Sequence, residues 1–431
     1  MNPKPNSTRQ LAKKLLVRVP KLRPYIQRKE HLEGEVVALA ETVQALQKRN
    51  DLWAEEVRTL RGEHQTREII WPVRPEDILA ADYRKPYHPP AVRRKPPFSV
   101  NWVVPPMGPV SGGHADIFRA INHLESRKHS CRIYFYDPLR QSSPGELKRN
   151  MRRYAPVAAP IVYNARSIAP SDALVATSWH TAYPVFIASG SVKKFYFVQD
   201  FEPFFDPVGS YSTLAETTYR FGLHGITLGS WLKQKLSTEY GMKCDAIELG
   251  VEPDHYHLLE PQPRRGGVLF YARPVTPRRG FEMGILALEA FHRRNPSQEI
   301  HMVGWDLSQY KIPFPYVDHG ILSHQALNQL YNHCIAGLVL SFTNMSLLPL
   351  EMMAAGCQPV MNDAPHTRLA SYRKLLVYSS PTPQALADSL HAAVTETTEA
   401  RVHDLANQAE RFQWSQSYAT LEQILVRELS A

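Results

Sequence analysis

Cysteine is scarce in this sequence. Cys131, Cys244, Cys334 and Cys357 are the only four in 431 residues, and no two form a Cys-x-x-Cys pair. That spacing excludes a zinc ribbon or a disulfide framework as the basis of the fold, and the simplest compartment is a reducing, cytoplasmic one. Long apolar runs are missing too. No window reaches the roughly 18 apolar residues of a membrane span, and Leu15, Leu16 and Val17, flanked by lysine and arginine, are too few for a signal-peptide core. There is no Gly-x-Gly-x-x-Gly fingerprint and no short-period repeat. Acids are nearly absent from the first thirty residues, where Lys4, Arg9, Lys13, Lys14, Arg18, Lys21, Arg23, Arg28 and Lys29 oppose only Glu30. The net charge of +9 is therefore mostly that of an N-terminal arm. The rest is nearly neutral, which argues against a nucleic-acid-binding body.

What is present suits a folded chain of two or three domains: 43% hydrophobic residues for sizeable cores and an ordinary 21% charged. Residues 1–28 form a basic arm. Within it Leu11, Leu15, Leu16 and Val19 lie among basic residues, a pattern that fits either an anionic membrane surface or a solvated tail. Over 29–66, Leu32, Val36, Leu39, Val43, Leu46, Asn50, Trp53, Val57 and Leu60 repeat at alternating steps of four and three. β-branched residues and one Asn at a, with mostly Leu at d, predict a parallel two-stranded coiled coil; the alternative is an amphipathic helix packed on its own domain. Residues 67–97 are rich in Pro and Arg and read as an extended connector.

From Phe98 short apolar runs alternate with helical stretches, the α/β signature. Strands are predicted at SVNWVV (99–104), CRIYFY, ALVAT, KFYFV and GITL, and in a second set at GVLFYA (267–272), EIHMVG (299–304), IAGLVLS (335–341) and KLLVYSS. FEMGILALEAFHRR (281–294) and QALNQLYNHC (325–334) read as helices between them. Two α/β units follow, over 98–255 and 256–431.

Five stretches place chemistry at strand ends. In PPMGPVSGGHADIFR, Gly112 and Gly113 lie in a loop before a helix, either to let backbone approach a ligand or only to turn the chain. In TSWHTAYP, His180 follows a strand, as a partner for a hydroxylated ligand or as a polar loop residue. In FVQDFEPFFDPVGS, Gln199, Asp200, Glu202 and Asp206 lie among aromatics; they lack metal-ligand regularity, so no metal is assigned. In YARPVTPRRGFE, Arg273, Arg278 and Arg279 converge on a strand end, which suits a phosphate or leaves them as surface arginines. In SLLPLEMMAAGCQPV, Glu351 follows Pro349 at a helix start, a position the macrodipole favours for any acid, and Gly356 stops the helix.

In this order the stretches resemble GT-B glycosyltransferases of the large retaining family four, which includes sucrose and glycogen synthases. The resemblance covers roughly residues 98–425. It rests on Arg273 with Arg278 or Arg279 before Gly280, on Val303-Gly304, on the base-clasping loop DHGILSHQALNQLY (318–331) with Leu322, and on SLLPLEMMAAGCQPV. The ending ERFQWSQS resembles the family's last helix, which crosses back to the first domain. The family's first glutamate of a pair eight apart, which often approaches the donor sugar, would fall at Thr343. SGGHADIFR, VQDFEPFF and TNMSLLPLEMMAAG look like bacterial rhamnosyltransferases of surface glycans, whose donor is dTDP-β-L-rhamnose.

The resemblance implies two Rossmann-like domains facing across a cleft. A nucleotide-sugar donor would be held by Gly112, Gly113, Arg273, Arg278, Arg279, Gly304, Leu322, Asn344, Ser346, Leu347, Leu348 and Glu351. His180, Arg273 and Arg279 would take part in catalysis, and Glu351 would bind the ribose. No cofactor is implied beyond the donor. The implied partners are a lipid-linked glycan acceptor, a second copy or another coiled-coil protein, and the inner face of the cytoplasmic membrane. The rival readings are a hexosyltransferase using a UDP- or GDP-sugar, and a catalytically degenerate assembly module.

Overall fold

The computed structural model describes residues 69–431 except 108–110, 141, 155–156, 165, 262–264 and 369–371, together with Arg28 and residues 43–44 and 47–54. The basic arm and most of the heptad segment lie outside the described residues. Residues 47–54 are helical, with Leu52 59% and Trp53 61% exposed.

The first sheet has seven strands: β1 (Ser99–Val104), β2 (Ser130–Phe135), β3 (Ile161–Tyr163), β4 (Ala173–Ala176), β5 (Lys193–Val198), β6 (His224–Leu228) and β7 (Cys244–Ile247), in the order β3-β2-β1-β4-β5-β6-β7. The second has six: β8 (Val268–Tyr271), β9 (Ile300–Val303), β10 (Val317–Asp318), β11 (Ala336–Val339), β12 (Gln358–Asn362) and β13 (Val377–Ser379), in the order β10-β9-β8-β11-β12-β13. Every strand pairing is parallel. Around the first sheet run α1 (Pro75–Ala80), α2 (Gly112–Ser126), α3 (Pro144–Tyr154), α4 (Trp179–Ile187), α5 (Ser210–Thr217) and α6 (Ser230–Tyr240). Around the second run α7 (Phe281–Arg294), α8 (His324–His333), α9 (Leu348–Ala354), α10 (Pro365–Arg368), α11 (Pro383–Glu396) and α12 (Glu399–Ala409), and α13 (Trp414–Ser430) ends the chain.

Burial on both faces explains the strand sequences. β4, β6, β9 and β11 are buried at every position, so they read as continuous apolar runs rather than alternating ones. In α7, Phe281, Gly284, Ala287, Leu288 and Phe291 fall on one buried face at helical spacing. A Cβ at Gly284 would stand 2.2 Å from the Phe270 ring, so the missing side chain is what lets this helix lie close on β8.

Each sheet has its own core on one face. A third apolar cluster joins them, running from Trp102 and Phe197 through Trp414 and Tyr418 to Tyr331 and Met352. The last helix carries much of that joint. Ser417 Oγ donates to the Glu248 carbonyl at 2.8 Å, His123 meets Glu422 at 3.0 Å, and Lys243 meets Glu428 at 2.7 Å.

Three features differ from the sequence reading. The connector is not extended throughout: Pro75–Ala80 is helical, and Asp77 accepts from Tyr136 Oη at 2.7 Å, so this segment is seated on the first domain. α2 begins at Gly112, so Gly112 and Gly113 form its first turn rather than the loop before it. Ser111 caps that turn, its Oγ accepting from His114 N–H at 3.4 Å. β3, β7, β10 and β12 were not foreseen. Their segments, such as Val317–Asp318 and QPVMN, are too short or too mixed to show a strand period.

Candidate functional site

The strand order reverses at β1/β4 in one sheet and at β8/β11 in the other, where parallel α/β sheets open a crevice beyond their carboxyl ends. The loops leaving these strands meet there. Arg273 follows β8, and Arg278 and Arg279 belong to the 3-10 turn Pro277–Arg279 that leads into α7. Arg279 Nη1 donates to Ser341 Oγ at 3.0 Å. The Arg278 guanidinium lies 4.2 Å over the Phe205 ring, and that of Arg273 lies 5.5 Å over Trp305. Burial, reinforced by repulsion from Arg273 on both and from Arg278 on Arg279, pulls Arg278 and Arg279 below the usual guanidinium range.

The carboxylate that answers this charge comes from the other domain. Asp200, just after β5, has Oδ2 3.8 Å from Arg278 Nε and accepts from Thr343 Oγ1 at 3.0 Å. Burial raises the Asp200 carboxyl, against the pull of Arg279, Arg278 and the Thr343 hydroxyl. Beside it, Asn344 Nδ2 donates to the Gln199 carbonyl at 2.8 Å, and Gln199 Nε2 donates to the Gly113 carbonyl at 3.0 Å. A continuous polar chain thus links the first turn of α2, the end of β5 and the loop after β11.

The residues singled out from the sequence divide. Arg273, Arg278, Arg279, Asn344 and Gly113 belong to this chain or adjoin it. Gly112 is exposed, and a Cβ there would reach only Leu347 Cδ1, at 4.0 Å. Gly304 closes the end of β9: its N–H donates to the Gly320 carbonyl at 2.7 Å. Its φ of +107° and a Tyr271 ring 2.8 Å from any Cβ admit only glycine. Leu322 is half-buried against the joint core. The Asn344 side chain is committed to backbone carbonyls of the other domain. Ser346 Oγ accepts the Leu348 N–H at 3.3 Å, so that amide already has a partner. His180 is not drawn to the arginines. It stacks on Trp179 at 4.0 Å, forms no hydrogen bond among the described residues, and burial pushes it down to about 4.

Glu351 lies in the first turn of α9, behind Pro349. Desolvation pushes its carboxyl up to about 7, with Tyr331 Oη 3.5 Å away. Asp116 and Arg119 of α2 act on it across the cleft. Asp116 is itself pushed up to about 7 by burial, and Arg119 bridges it to Glu252, both at 3.2 Å. Sequence reading missed this trio. Its signal was an acid and a base three apart in the apolar middle of a helix, Asp116 and Arg119 among Ile117, Phe118, Ala120 and Ile121. Asp200 was visible as a strand-end acid; its reach to Thr343, 143 residues away, was not.

Comparisons with known proteins bear on this architecture. The family model described as WsaF, C-terminal domain, matches residues 266–391. The O-antigen biosynthesis protein RfbC of Myxococcus xanthus is 33% identical over 362 residues, 78% of this chain. The chain spans only 28% of that relative's length. Sucrose-phosphate synthase from Thermosynechococcus elongatus matches with a TM-score of 0.58 at 11% identity, covering 77% of this chain and 98% of that one. Anabaena HepE, solved in complex with UDP, also gives 0.58, at 14% identity, with 76% and 99% covered. The two parallel-sheet domains facing across a cleft are thus the GT-B fold of glycosyltransferases.

Proposed function

We propose that this chain is a glycosyltransferase that moves L-rhamnose from dTDP-β-L-rhamnose onto a growing bacterial surface polysaccharide. One observation carries the reading. Three guanidinium groups, Arg273, Arg278 and Arg279, gather at the switch point of the second sheet, answered there by the Asp200 carboxylate, with Glu202 a weaker influence on Arg278. The surplus positive charge suits a pyrophosphate, and planar guanidiniums bind one in bidentate fashion. The similarity to RfbC, an O-antigen biosynthesis protein, supports a surface-glycan product, and UDP in HepE supports a nucleotide-sugar donor.

The leaving nucleoside diphosphate needs its charge stabilised, and prearranged cations supply that. The anomeric carbon–oxygen bond to the phosphate breaks, the bond to the acceptor oxygen forms on the same face, and the acceptor proton passes to the leaving phosphate. These arginines do the work a metal ion does elsewhere. Glu351 accepts from the 3′-hydroxyl of the deoxyribose. Gly112, Gly113 and His180 line the acceptor and sugar side.

Thr343 stands where the resembled family has its first glutamate, which favoured a degenerate module. Asp200 answers that vacancy by bringing a carboxylate from the opposite domain to within 3.0 Å of the Thr343 hydroxyl. Outside the catalytic body, the basic arm docks on the inner membrane face near a lipid-linked acceptor. The heptad segment pairs chains, and the pairing would cover Trp53, which is exposed in the single chain.

The test is nucleotide release by purified protein given dTDP-L-rhamnose, UDP-glucose or GDP-mannose with a rhamnosylated lipid-linked acceptor. Release of dTDP alone is expected. Release from a UDP- or GDP-sugar instead makes the chain a hexosyltransferase, and no release from any donor leaves the assembly reading.

A further inference from the structure

We infer that the second domain holds a site for a first-row divalent cation, of the zinc class, formed by His301, His333 and Glu299. The three ligand atoms lie within 4.8 Å of one another. Glu299 Oε2 stands 3.6 Å from His301 Nε2 and 3.9 Å from His333 Nε2. A zinc ion about 2.1 Å from each of two ligands at a tetrahedral angle sets them roughly 3.4 Å apart, so the side chains need little movement to close on one.

A second observation points the same way. His301 is 5% exposed, and its Nε2 is buried with no hydrogen-bond partner among the described residues. Its other nitrogen, Nδ1, lies 3.0 Å from His319 Nε2, and the two rings share one proton. If that proton is on His301, Nε2 carries a lone pair aimed at a carboxylate 3.6 Å away, a repulsive contact. If it is on His319, His301 presents a buried N–H too far from that carboxylate to bond it. A cation between them resolves both. It takes the Nε2 lone pair and fixes the His301 tautomer, with His319 accepting from Nδ1, as ligating histidines are usually held by an outer hydrogen bond.

The donor set, two imidazoles and one carboxylate, suits zinc-class ions better than calcium or magnesium. Glu299 and His333 reach solvent, which leaves an entry path and a position for water. The cluster His224, Asp245 and Glu428 has comparable spacing but differs in kind. There His224 Nε2 is bonded to Asp245 at 2.8 Å, and Arg427 and Lys243 already supply positive charge.

The site lies apart from the arginine cluster. His301 is three residues before Gly304 on β9, about 10 Å along an extended strand. A cation there ties the last residue of α8 to the start of β9. Its role is to hold α8, whose Tyr331 reaches Glu351.

The experiment titrates chelator-stripped full-length protein with zinc chloride by calorimetry, and with cobalt(II) chloride by visible absorption. The expected result is one micromolar zinc site and a tetrahedral cobalt band. His301→Ala should weaken zinc at least tenfold. Because a buried substitution can disturb folding, His333→Gln and Glu299→Gln, both at the surface, should each weaken it tenfold as well. No saturable zinc uptake below about 100 µM, or uptake unchanged in the two surface variants, overturns the site. The readout is metal binding, so it stands or falls independently of sugar transfer.

Discussion

The Thr343 hydroxyl donates to Asp200 Oδ2 across the interdomain cleft at 3.0 Å, joining residues 143 positions apart in the chain. Asp200 thereby sits between the loop after β11 and the guanidiniums of Arg278 and Arg279. A carboxylate there has two consequences. It moderates repulsion among buried cations, and in the proposed donor complex it would place an acceptor beside the sugar.

Substituting Asp200 separates those effects. Asp200→Asn keeps the shape but removes the charge. Nucleotide affinity should hold or rise, since a competing anion has gone, while kcat for transfer falls about 100-fold, as for loss of one charged group at a reacting centre. Thr343→Val should lower kcat about tenfold by leaving Asp200 without one of its bonds. Steady-state kinetics with separate KM and kcat checks both. An unchanged kcat in Asp200→Asn would reduce this residue to a structural contact.

Donor binding should depend on pH through Glu351. Its carboxyl in the free protein is pushed up to about 7. A ribose hydroxyl donates to the ionised form, so binding must expel a proton below that value. Affinity should weaken as pH falls below 7, by up to about tenfold per unit, and level off above it. Glu351→Gln should bind more weakly and show a flatter profile. Calorimetry from pH 5.5 to 8.5 reads it, and an identical slope in the variant removes the role.

Glu202 makes stability depend on pH. Desolvation pushes this buried carboxyl from 4.5 up to about 8. The Trp179 N–H donates to Oε2 at 2.8 Å and Tyr196 Oη to Oε1 at 3.2 Å. Because the folded state holds the proton more tightly than the unfolded one, this group's contribution is greatest below the unfolded value. It is lost as pH rises between 4.5 and about 8, with a limiting slope of about 1.4 kcal/mol per pH unit. Glu202→Gln can accept from Trp179 and should remove that part of the slope. Urea unfolding at several pH values measures the difference between the two proteins.

Gly304→Ala should destabilise the second domain by about 1–3 kcal/mol. The cost combines a φ of +107° with a Cβ placed 2.8 Å from the Tyr271 ring. The urea midpoint should fall with an unchanged m-value. An unshifted midpoint would mean that the loop relaxes freely.

How far the sequence disclosed this depends on whether a feature is local. α7 matches its expected span because FEMGILALEAFHRR carries both the period and the flanking glycine. β1, β4, β5 and β8 were legible as compact apolar runs bounded by polar loops. β12 was not, because QPVMN offers too few apolar residues and follows a helix directly. Within the site, the arginines showed as a charge cluster at a strand end. The meeting of Asp200 with Thr343, and of the Asp116–Arg119 pair with Glu351, is made by folding; each segment shows its own polar residues, and none shows which distant segment it faces. The stack of His180 on Trp179 was not legible either, because a strand-end histidine looks alike in sequence whatever its ring packs against.

The most direct test of the central claim is calorimetric binding of dTDP and thymidine to the wild-type protein and to Arg279→Ala. If the arginine cluster holds a pyrophosphate, dTDP binds the wild type far more tightly than thymidine does. Arg279→Ala then loses roughly 10- to 100-fold for dTDP and little for thymidine. Equal affinities for the two ligands, or a variant that binds dTDP as the wild type does, would contradict the account.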